Sequence, residues 1–138
     1  ENGKPRTESG NQMPRLPADF LVRVESLCDR VLDLAEALSR QRRSVRIVDQ
    51  IAAAGTAVGA NLFEADQAMS RPDFCKCCAI AAKELSETRY WIRLGGRRGW
   101  IAPARLELLE AECMELQRIV GTMIARTRQR TKRPSPVA

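Results

Sequence analysis

Cysteine and glutamate are the residues of this chain most able to carry chemistry, because the chain contains no histidine. Three of its five cysteines lie in the run CKCC, and Cys75 and Cys78 are one helical turn apart. Thiolates on one helix face could begin a soft-metal or redox site. No second cysteine pair and no histidine completes a tetrahedral set, so we interpret Cys75, Cys77 and Cys78 as core thiols. A metal or redox site is the alternative, but we predict no metal and no other cofactor.

Three carboxylates form the other candidate site. Glu64, Glu84 and Glu87 lie in the middle of the chain, and helical bundles do build metal centres from inward-facing glutamates. Those centres combine glutamate with a Glu-x-x-His motif, which this chain cannot supply. We therefore expect structural hydrogen bonds and ion pairs from these side chains.

Catalysis is not expected. The run GGRRG, residues 95–99, lacks the Lys-Ser/Thr that completes a phosphate-binding loop. No set of nucleophile, base and orienting group can be assembled, and the most common acid–base residue at neutral pH is missing. We predict that the protein is not an enzyme.

Positive charge is concentrated in clusters, and the formal net charge is +6. Clustered cations favour an anionic partner such as nucleic acid, recognised by charge and shape. Few aromatic residues accompany the clusters, so we do not expect base stacking. The alternative is a solvated surface that aids solubility. The candidate nucleic-acid-binding residues are Arg40, Arg42, Arg43, Arg46, Arg97, Arg98, Arg126, Arg128, Arg130, Lys132 and Arg133.

The elements that position these side chains are predicted to be helices. Apolar residues recur at alternating spacings of three and four along four segments, whereas the alternation typical of strands is nearly absent. The predicted N-caps are Asp19 for the first helix and Ser70 for the third, while the second helix begins after Ser44 and the fourth at Pro103. The run GGRRGW is predicted to end the third helix, because three glycines cannot sustain one.

The four segments predict an all-α fold, an up-down-up-down antiparallel four-helix bundle. We place the bundle at residues 19–130, between a flexible N-terminal arm, 1–18, and a basic flexible C-terminal tail, 131–138. The predicted apolar seams are Phe20, Val24, Leu27, Val31, Leu34 and Leu38; Val48, Ile51, Gly55, Val58, Leu62, Ala65 and Met69; Phe74, Cys78, Ala81, Leu85, Thr88 and Ile92; Leu106, Leu109, Cys113, Leu116, Val120 and Met123.

The second segment contains two unexpected glycines, in the run AAAGTAVGANLFEA. Gly55 and Gly59 each cost an exposed helix about 1 kcal/mol relative to alanine. We infer that a neighbouring helix approaches closely there.

A polar network is expected between the second and third helices. Asn61 and Glu64 lie one turn apart, and Glu84, Glu87 and Tyr90 follow the same rhythm in the third segment. Such a network would fix the register of the two helices.

The chain also holds more apolar residues than the four seams need. Some of the surplus apolar residues would form exposed patches in a monomer, which self-association would cover, with Tyr90 and Trp91 among the anchors. A second stripe of Leu21, Cys28 and Ala35 runs beside the first seam, and Ile47, Phe63, Trp91, Trp100 and Ile101 lie off the seams.

Two runs, DQIAAAGTAVGANLFEA and DFCKCCAIAAKELSETRYWI, resemble the family of four-helix bundle proteins encoded by open reading frames within 23S rRNA intervening sequences. The resemblance spans about residues 20–125. CKCC stands where the family more often has aliphatic residues, and Thr56 replaces a usual serine. The matching residues are Thr56, Gly59, Asn61 and Glu64 in the second helix and Asp73, Phe74, Lys76, Lys83, Glu84, Glu87, Thr88, Tyr90 and Trp91 in the third.

The resemblance implies a homo-oligomer, most often a ring of five bundles, without catalytic activity. The related accessory proteins of diversity-generating retroelements bind a reverse transcriptase and its template RNA through a basic pentameric surface. The partners implied are further copies of the chain and RNA or DNA, with a reverse transcriptase as an open alternative.

The function we predict is a non-catalytic oligomeric scaffold that binds structured RNA or other nucleic acid through its arginine clusters. The alternative is a protein–protein adaptor, such as an accessory subunit of a retroelement reverse transcriptase. No apolar run reaches the roughly 18–20 residues of a membrane span, and the first 18 residues lack the apolar stretch of a secretory signal. We therefore expect no membrane association and a cytoplasmic location.

Overall fold

A computed structural model describes residues 13–132, which form four α-helices and no β-strand. The helices are α1 (Ala18–Arg40), α2 (Val45–Asp66), α3 (Arg71–Arg97) and α4 (Pro103–Lys132). The all-α, four-helix prediction is confirmed. Most of the predicted arm, residues 1–12, and most of the predicted tail, residues 133–138, lie outside the described residues.

The described parts of the two ends differ from the predicted boundaries. Leu16 is buried, and its backbone N–H donates to Asp66 Oδ1 at 2.8 Å, so the segment before α1 lies against the end of α2. At the other end, α4 includes Thr131 and Lys132, which had been assigned to the tail.

Serine side chains begin α2 and α3 as predicted. Ser44 Oγ accepts from the N–H of Ile47 at 3.4 Å, and Ser70 Oγ accepts from the N–H of Asp73 at 3.2 Å. Each bond satisfies one of the N–H groups that a first turn leaves without a helical partner.

One predicted N-cap is wrong, and one predicted helix end is right only in part, because α3 ends at Arg97, inside the run GGRRGW but after its first two glycines. Pro17 occupies the N-cap position of α1 without a capping side chain, so Asp19 lies inside the first turn, where a carboxylate favours the positive end of the helix. Helix α3 continues through Gly95 and Gly96. A Cβ on Gly95 would lie 2.7 Å from Ile101 Cδ1, so the link after α3 packs against the helix where side chains are missing.

The four predicted seams meet in one core. Most of their residues are buried, and Phe74, Leu27 and Leu85 are among the largest fully buried side chains. Val48, Leu106 and Met123 are half-buried, and Met69 is 90% exposed because α2 ends at Asp66 and leaves it in the following link. Thr88 Oγ1 is a buried side-chain oxygen without a hydrogen-bond partner in the described residues.

The glycines of α2 do receive a neighbouring helix. A Cβ on Gly55 would lie 2.5 Å from Val31 Cγ1, and one on Gly59 would lie 2.9 Å from Cys28 Sγ. The Cys28 thiol also donates to the carbonyl oxygen of Gly55 at 3.2 Å. Side-chain atoms of α1 therefore occupy the space that the glycines leave open.

Much of the apolar surplus is covered within the subunit. Ala35 is buried, and Leu21 and Cys28 pack partly buried against the core, as do Ile47, Trp91 and Trp100, while Ile101 is fully buried. Exposed patches were expected from only some of the surplus residues, and these residues are not among the exposed ones. Phe63 remains 46% exposed.

Candidate nucleic-acid interface

The links between α1 and α2 and between α3 and α4 meet at the ring of Trp100. Cζ of Arg43 lies 5.1 Å from the ring centroid, and Cζ of Arg98 lies 5.9 Å from it. Cations within about 6 Å of an indole centroid are attracted by the ring quadrupole. We call this end of the protein, residues 40–46 and 97–100, the link pole.

The same backbone motif delivers Arg43 and Trp100 to the link pole. After α1, the N–H of Arg43 donates to Leu38 O at 3.1 Å, and after α3 the N–H of Trp100 donates to Gly95 O at 2.8 Å. In each case the residue just before has a left-handed backbone, Arg42 with φ 58° and Gly99 with φ 71°. This pattern is the Schellman motif, which satisfies the last carbonyl groups of a helix and reverses the chain.

The link pole gathers the predicted arginines of both links. No aspartate or glutamate occurs at residues 37–48 or 88–106. Four of its arginines are exposed and form no ion pair with residues 13–132; these are Arg40, Arg42, Arg46 and Arg97. Arg43 from one predicted cluster and Arg98 from the other lie over the same ring.

Trp100 is the residue that reasoning from sequence missed. It had been counted only as an apolar residue off the seams, and no aromatic residue was expected to serve the basic clusters. The Gly99-Trp100 pair at a helix end was the available signal, since glycine there favours the Schellman turn. The ring is half-buried and two guanidinium groups lie over it, so it orders arginine side chains rather than offering a bare face to a base.

Other arginines of the described chain are occupied by carboxylates. Arg23 pairs with Glu112 at 2.7 Å, and Glu110 accepts from Arg93 at 2.8 Å and from Arg89 at 3.1 Å. The hydrogen bonds from Arg93 and Arg89 lower the pKa of Glu110. These paired arginines are therefore less available to an anionic partner than the unpaired arginines of the link pole.

The predicted C-terminal cluster divides into two groups. Arg126, Arg128, Arg130 and Lys132 are all exposed on the last turns of α4, and Arg133 lies outside the described residues. Residues two positions apart on a helix point about 200° away from each other. Arg128 and Lys132 accordingly lie beside α3, with Arg71, whereas Arg126 and Arg130 lie on the opposite flank.

The predicted polar network between α2 and α3 is absent from residues 13–132. Asn61 Nδ2 donates to the carbonyl oxygen of Ala57 at 2.8 Å, four residues earlier in its own helix. Glu64 is exposed and has no hydrogen bond to α3. The backbone carbonyl satisfies the amide locally, which short polar side chains in helices often allow.

Glu87 and Tyr90, two α3 residues assigned to this network, also make contacts within their own helix. Trp91 Nε1 donates to Glu87 Oε1 at 3.3 Å, and the rings of Tyr90 and Trp91 meet edge-on with centroids 5.1 Å apart. Burial, followed by repulsion from Glu87, raises the pKa of Glu84. Tyr90 is 52% exposed, so its outer side is available to a partner.

The cysteines of CKCC are distributed as core thiols would be. Cys77 and Cys78 are buried and Cys75 is half-buried. Burial raises the pKa of Cys78 to about 12, which keeps this thiol protonated at neutral pH. Within the part of the chain that the structure describes, no group of three or more cysteine, aspartate or glutamate residues is placed to hold a metal ion.

None of the helices in residues 13–132 has the length and apolar character needed to cross a membrane.

Comparisons with known proteins give one family and a solved relative. The family model described as 23S rRNA-intervening sequence protein matches residues 20–122. A crystal structure from Bacteroides thetaiotaomicron, a protein with unknown function from the S23 ribosomal protein family, is 32% identical, with a TM-score of 0.72. The alignment covers 76% of this chain and 97% of that one. Comparison with curated proteins finds no match.

Proposed function

The chain belongs to the family of 23S rRNA-intervening sequence proteins, and on that premise we propose that it is a non-catalytic scaffold that binds structured RNA through the link pole. The observation that carries the proposal is the pair of guanidinium groups, Arg43 from one link and Arg98 from the other, over the ring of Trp100. The family description, which refers to an insert in rRNA, favours RNA over DNA. An RNA partner of this kind would place the protein in the cytoplasm.

The arrangement suits a phosphate backbone for a physical reason. A guanidinium group presents its N–H donors in a planar fork that matches two oxygens of one phosphate. A group held against an aromatic ring has fewer rotamers to lose on binding, so less of the interaction energy is spent on ordering it. Arg43 and Arg98 are held in this way, and the exposed arginines around them add long-range attraction.

We also propose that the helices run up-down-up-down and that copies of the bundle assemble into a ring, most simply a pentamer. Support for antiparallel neighbours comes from the contacts of Cys28 with Gly59 and Val31 with Gly55, since the residue numbers run in opposite directions along the two helices. A ring would repeat the link pole once per subunit and multiply its phosphate contacts.

An exposed stripe on α2 supports the self-association. Ala53, Thr56, Ala60 and Phe63 follow one another at spacings of three, four and three, and all four are exposed. Thr56 Oγ1 donates to the carbonyl oxygen of Ala52 at 2.8 Å, so its methyl group is what the stripe presents. Native mass spectrometry tests the ring: a pentamer is expected, and a monomer at every protein concentration would contradict it.

The cations on the last turns of α4 form a second, less ordered surface for the same RNA. Arg126, Arg128, Arg130 and Lys132 are exposed there, and Arg133 follows them in the sequence. No described aromatic ring lies over any of these side chains, so we assign them long-range attraction rather than specific contacts.

Fluorescence anisotropy with a labelled RNA hairpin tests the RNA proposal. Arg43→Ala should weaken binding about tenfold per site, the loss of one charge-assisted contact. Lys83→Ala is the matched control, because Lys83 is an exposed cation without an ion pair to residues 13–132 near the middle of α3. Equal losses in the two variants would show that only net charge matters and would contradict the proposal.

Trp100→Leu separates the contribution of the aromatic ring to RNA binding from the contribution of the positive charges. It removes the ring and leaves every cation in place, so a loss of about two- to tenfold is expected from the two cation–π contacts. Unchanged affinity would mean that the ring does not contribute.

A protein–protein adaptor, for instance a subunit that serves a reverse transcriptase, is the second candidate. The exposed stripe on α2 favours it, because a partner other than a second copy could cover the same apolar residues. In that case Phe63→Asp would abolish partner binding and Arg43→Ala would not. Under the RNA proposal, Arg43→Ala weakens RNA binding more than Phe63→Asp does when the two variants are compared in the same oligomeric state.

A further inference from the structure

A groove of about 400 Å³ lies between the first turns of α3 and the last turns of α4. Four cations line it, Arg71 and Lys76 from α3 and Arg128 and Lys132 from α4. No acidic side chain is among the described residues that line it. The groove is therefore an open basic surface with its cations gathered along one depression.

One wall of the groove is apolar. Pro72, Cys75 and Ala79 follow one face of α3 between the cations, and Thr131 faces them from α4. The Thr131 hydroxyl already donates to the carbonyl oxygen of Thr127 at 3.0 Å, so it contributes mainly its methyl group. A ligand for this groove must combine negative charge with a part that tolerates apolar contact.

The cations of the groove repel one another, and a bound anion would offset that repulsion. Lys76, Arg128 and Lys132 are exposed and form no ion pair with residues 13–132. Like charges gathered beside one cavity repel each other, and an anion between them converts the repulsion into attraction. The positive end of the α3 dipole adds to the same field.

The groove is spatially separate from the link pole, although Arg128 and Lys132 also belong to the α4 cations assigned long-range attraction to RNA. Arg128, Thr131 and Lys132 lie beyond residues 20–122, the part that matches the family. Ala79, the last residue of α3 that lines the groove, precedes Arg97 of the link pole by 18 residues, so the two are about 27 Å apart along the helix at a rise of about 1.5 Å per residue. The inference that follows does not depend on the function proposed for the link pole.

We propose that the groove binds one phosphate monoester of about mononucleotide size. The cations take the phosphate, and the wall of Pro72, Cys75 and Ala79 takes the sugar and base. The volume lies at the lower end of the range of small-ligand sites, roughly 300–1,000 Å³. Two sources offer this chemistry, a free nucleotide and the phosphorylated terminal nucleotide of an RNA strand.

Isothermal titration with adenosine 5′-monophosphate, adenosine and inorganic phosphate tests the proposal. Adenosine 5′-monophosphate should bind more tightly than inorganic phosphate, and adenosine should not bind. The double variant R128A/K132A should weaken the nucleotide at least about tenfold. R126A/R130A is the matched control, because it removes the same charge from the same turns of α4 on the other flank, and it should change affinity less than about twofold.

A chemical readout locates the ligand independently. Cys75 is half-buried in the groove wall, and Cys28 is half-buried between α1 and α2. Bound nucleotide should slow the alkylation of Cys75 by iodoacetamide and leave that of Cys28 unchanged. Equal protection of both thiols would place the ligand elsewhere and overturn the proposal.

Competition separates the two sources. Two short RNAs of the same sequence, one with a 5′-phosphate and one with a 5′-hydroxyl, compete with the bound nucleotide. If only the 5′-phosphate RNA displaces it, the natural ligand is a terminal phosphate of RNA. If neither RNA displaces it, the ligand is a free nucleotide. Lack of binding by every phosphate probe, or equal losses in the two double variants, overturns the proposal. Arg43→Ala should leave nucleotide binding intact, so failure here and failure at the link pole are distinguishable.

Discussion

Substitution of Gly55 by alanine tests the packing of α1 against α2. A Cβ at this position would lie 2.5 Å from Val31 Cγ1 and 2.9 Å from Val31 Cβ. Rotation of the valine can move Cγ1 but cannot move Cβ, so the two helices must separate or the valine backbone must shift. Overpacking of this kind in a core costs about 1–3 kcal/mol.

The intrinsic helix preference acts in the opposite direction. Alanine favours a helix over glycine by about 1 kcal/mol, so Gly55→Ala should lower the free energy of unfolding by up to about 2 kcal/mol. Gly121 provides the matched control, because it is an exposed glycine of α4 and a Cβ there would meet no atom within 4 Å. Gly121→Ala should raise the free energy of unfolding by up to about 1 kcal/mol.

Urea unfolding at one fixed protein concentration measures both changes. The two substitutions are chemically identical, so changes of opposite sign in the free energy of unfolding can come only from the surroundings of the two glycines. In the Gly55→Ala background, Val31→Ala removes Cγ1 and should cost less than it does in the wild-type protein. If Gly55→Ala stabilises the protein as much as Gly121→Ala does, the close approach of α1 and α2 is refuted.

Three further predictions concern buried and ion-paired side chains. The pKa of Glu110 is lowered from 4.5, first by the hydrogen bond from Arg93. The ionised carboxylate therefore stabilises the fold fully above pH 4.5, and this stabilisation is lost as the pH falls through the lowered pKa. Glu110→Gln should flatten the acid side of a stability-versus-pH curve measured by urea unfolding. Burial raises the pKa of Cys78 and of Cys113 to about 12, so mass spectrometry should find both unmodified by a thiol reagent until the protein unfolds; fast modification of the native protein would contradict this. Thr88→Val removes a buried hydroxyl without a partner in the described residues and should raise the free energy of unfolding by about 1 kcal/mol. A decrease in the free energy of unfolding by more than about 1 kcal/mol would mean that the hydroxyl is hydrogen-bonded.

Local patterns predicted the helices because one physical rule dominates each of them. The spacing of apolar residues identified the core of all four helices, and Ser44 and Ser70 cap as their side chains allow. The rule failed at Gly95 and Gly96, where packing against Ile101 and Leu106 outweighs low helix preference. That packing depends on residues after the helix, which propensity within the helix does not include.

The candidate site was predicted in part. Charge along the chain identified the arginines of both links, but their common contact with Trp100 depends on two turns of equal geometry at the ends of different helices. The predicted network of Asn61 failed because a backbone carbonyl of its own helix was the nearer acceptor. The C-terminal cations looked like one cluster in the sequence, and helical geometry divides them between two flanks.

The dependence of RNA affinity on salt tests the central proposal most directly. Binding of a labelled RNA hairpin would be measured between about 50 and 200 mM salt, where each phosphate contact contributes a slope of about −0.9 to log K against log salt concentration. The double variant R43A/R98A should reduce the magnitude of that slope by about 2 for each subunit in contact with the RNA. Affinity and slope equal to those of the wild-type protein would contradict the assignment of the link pole as the RNA-binding surface.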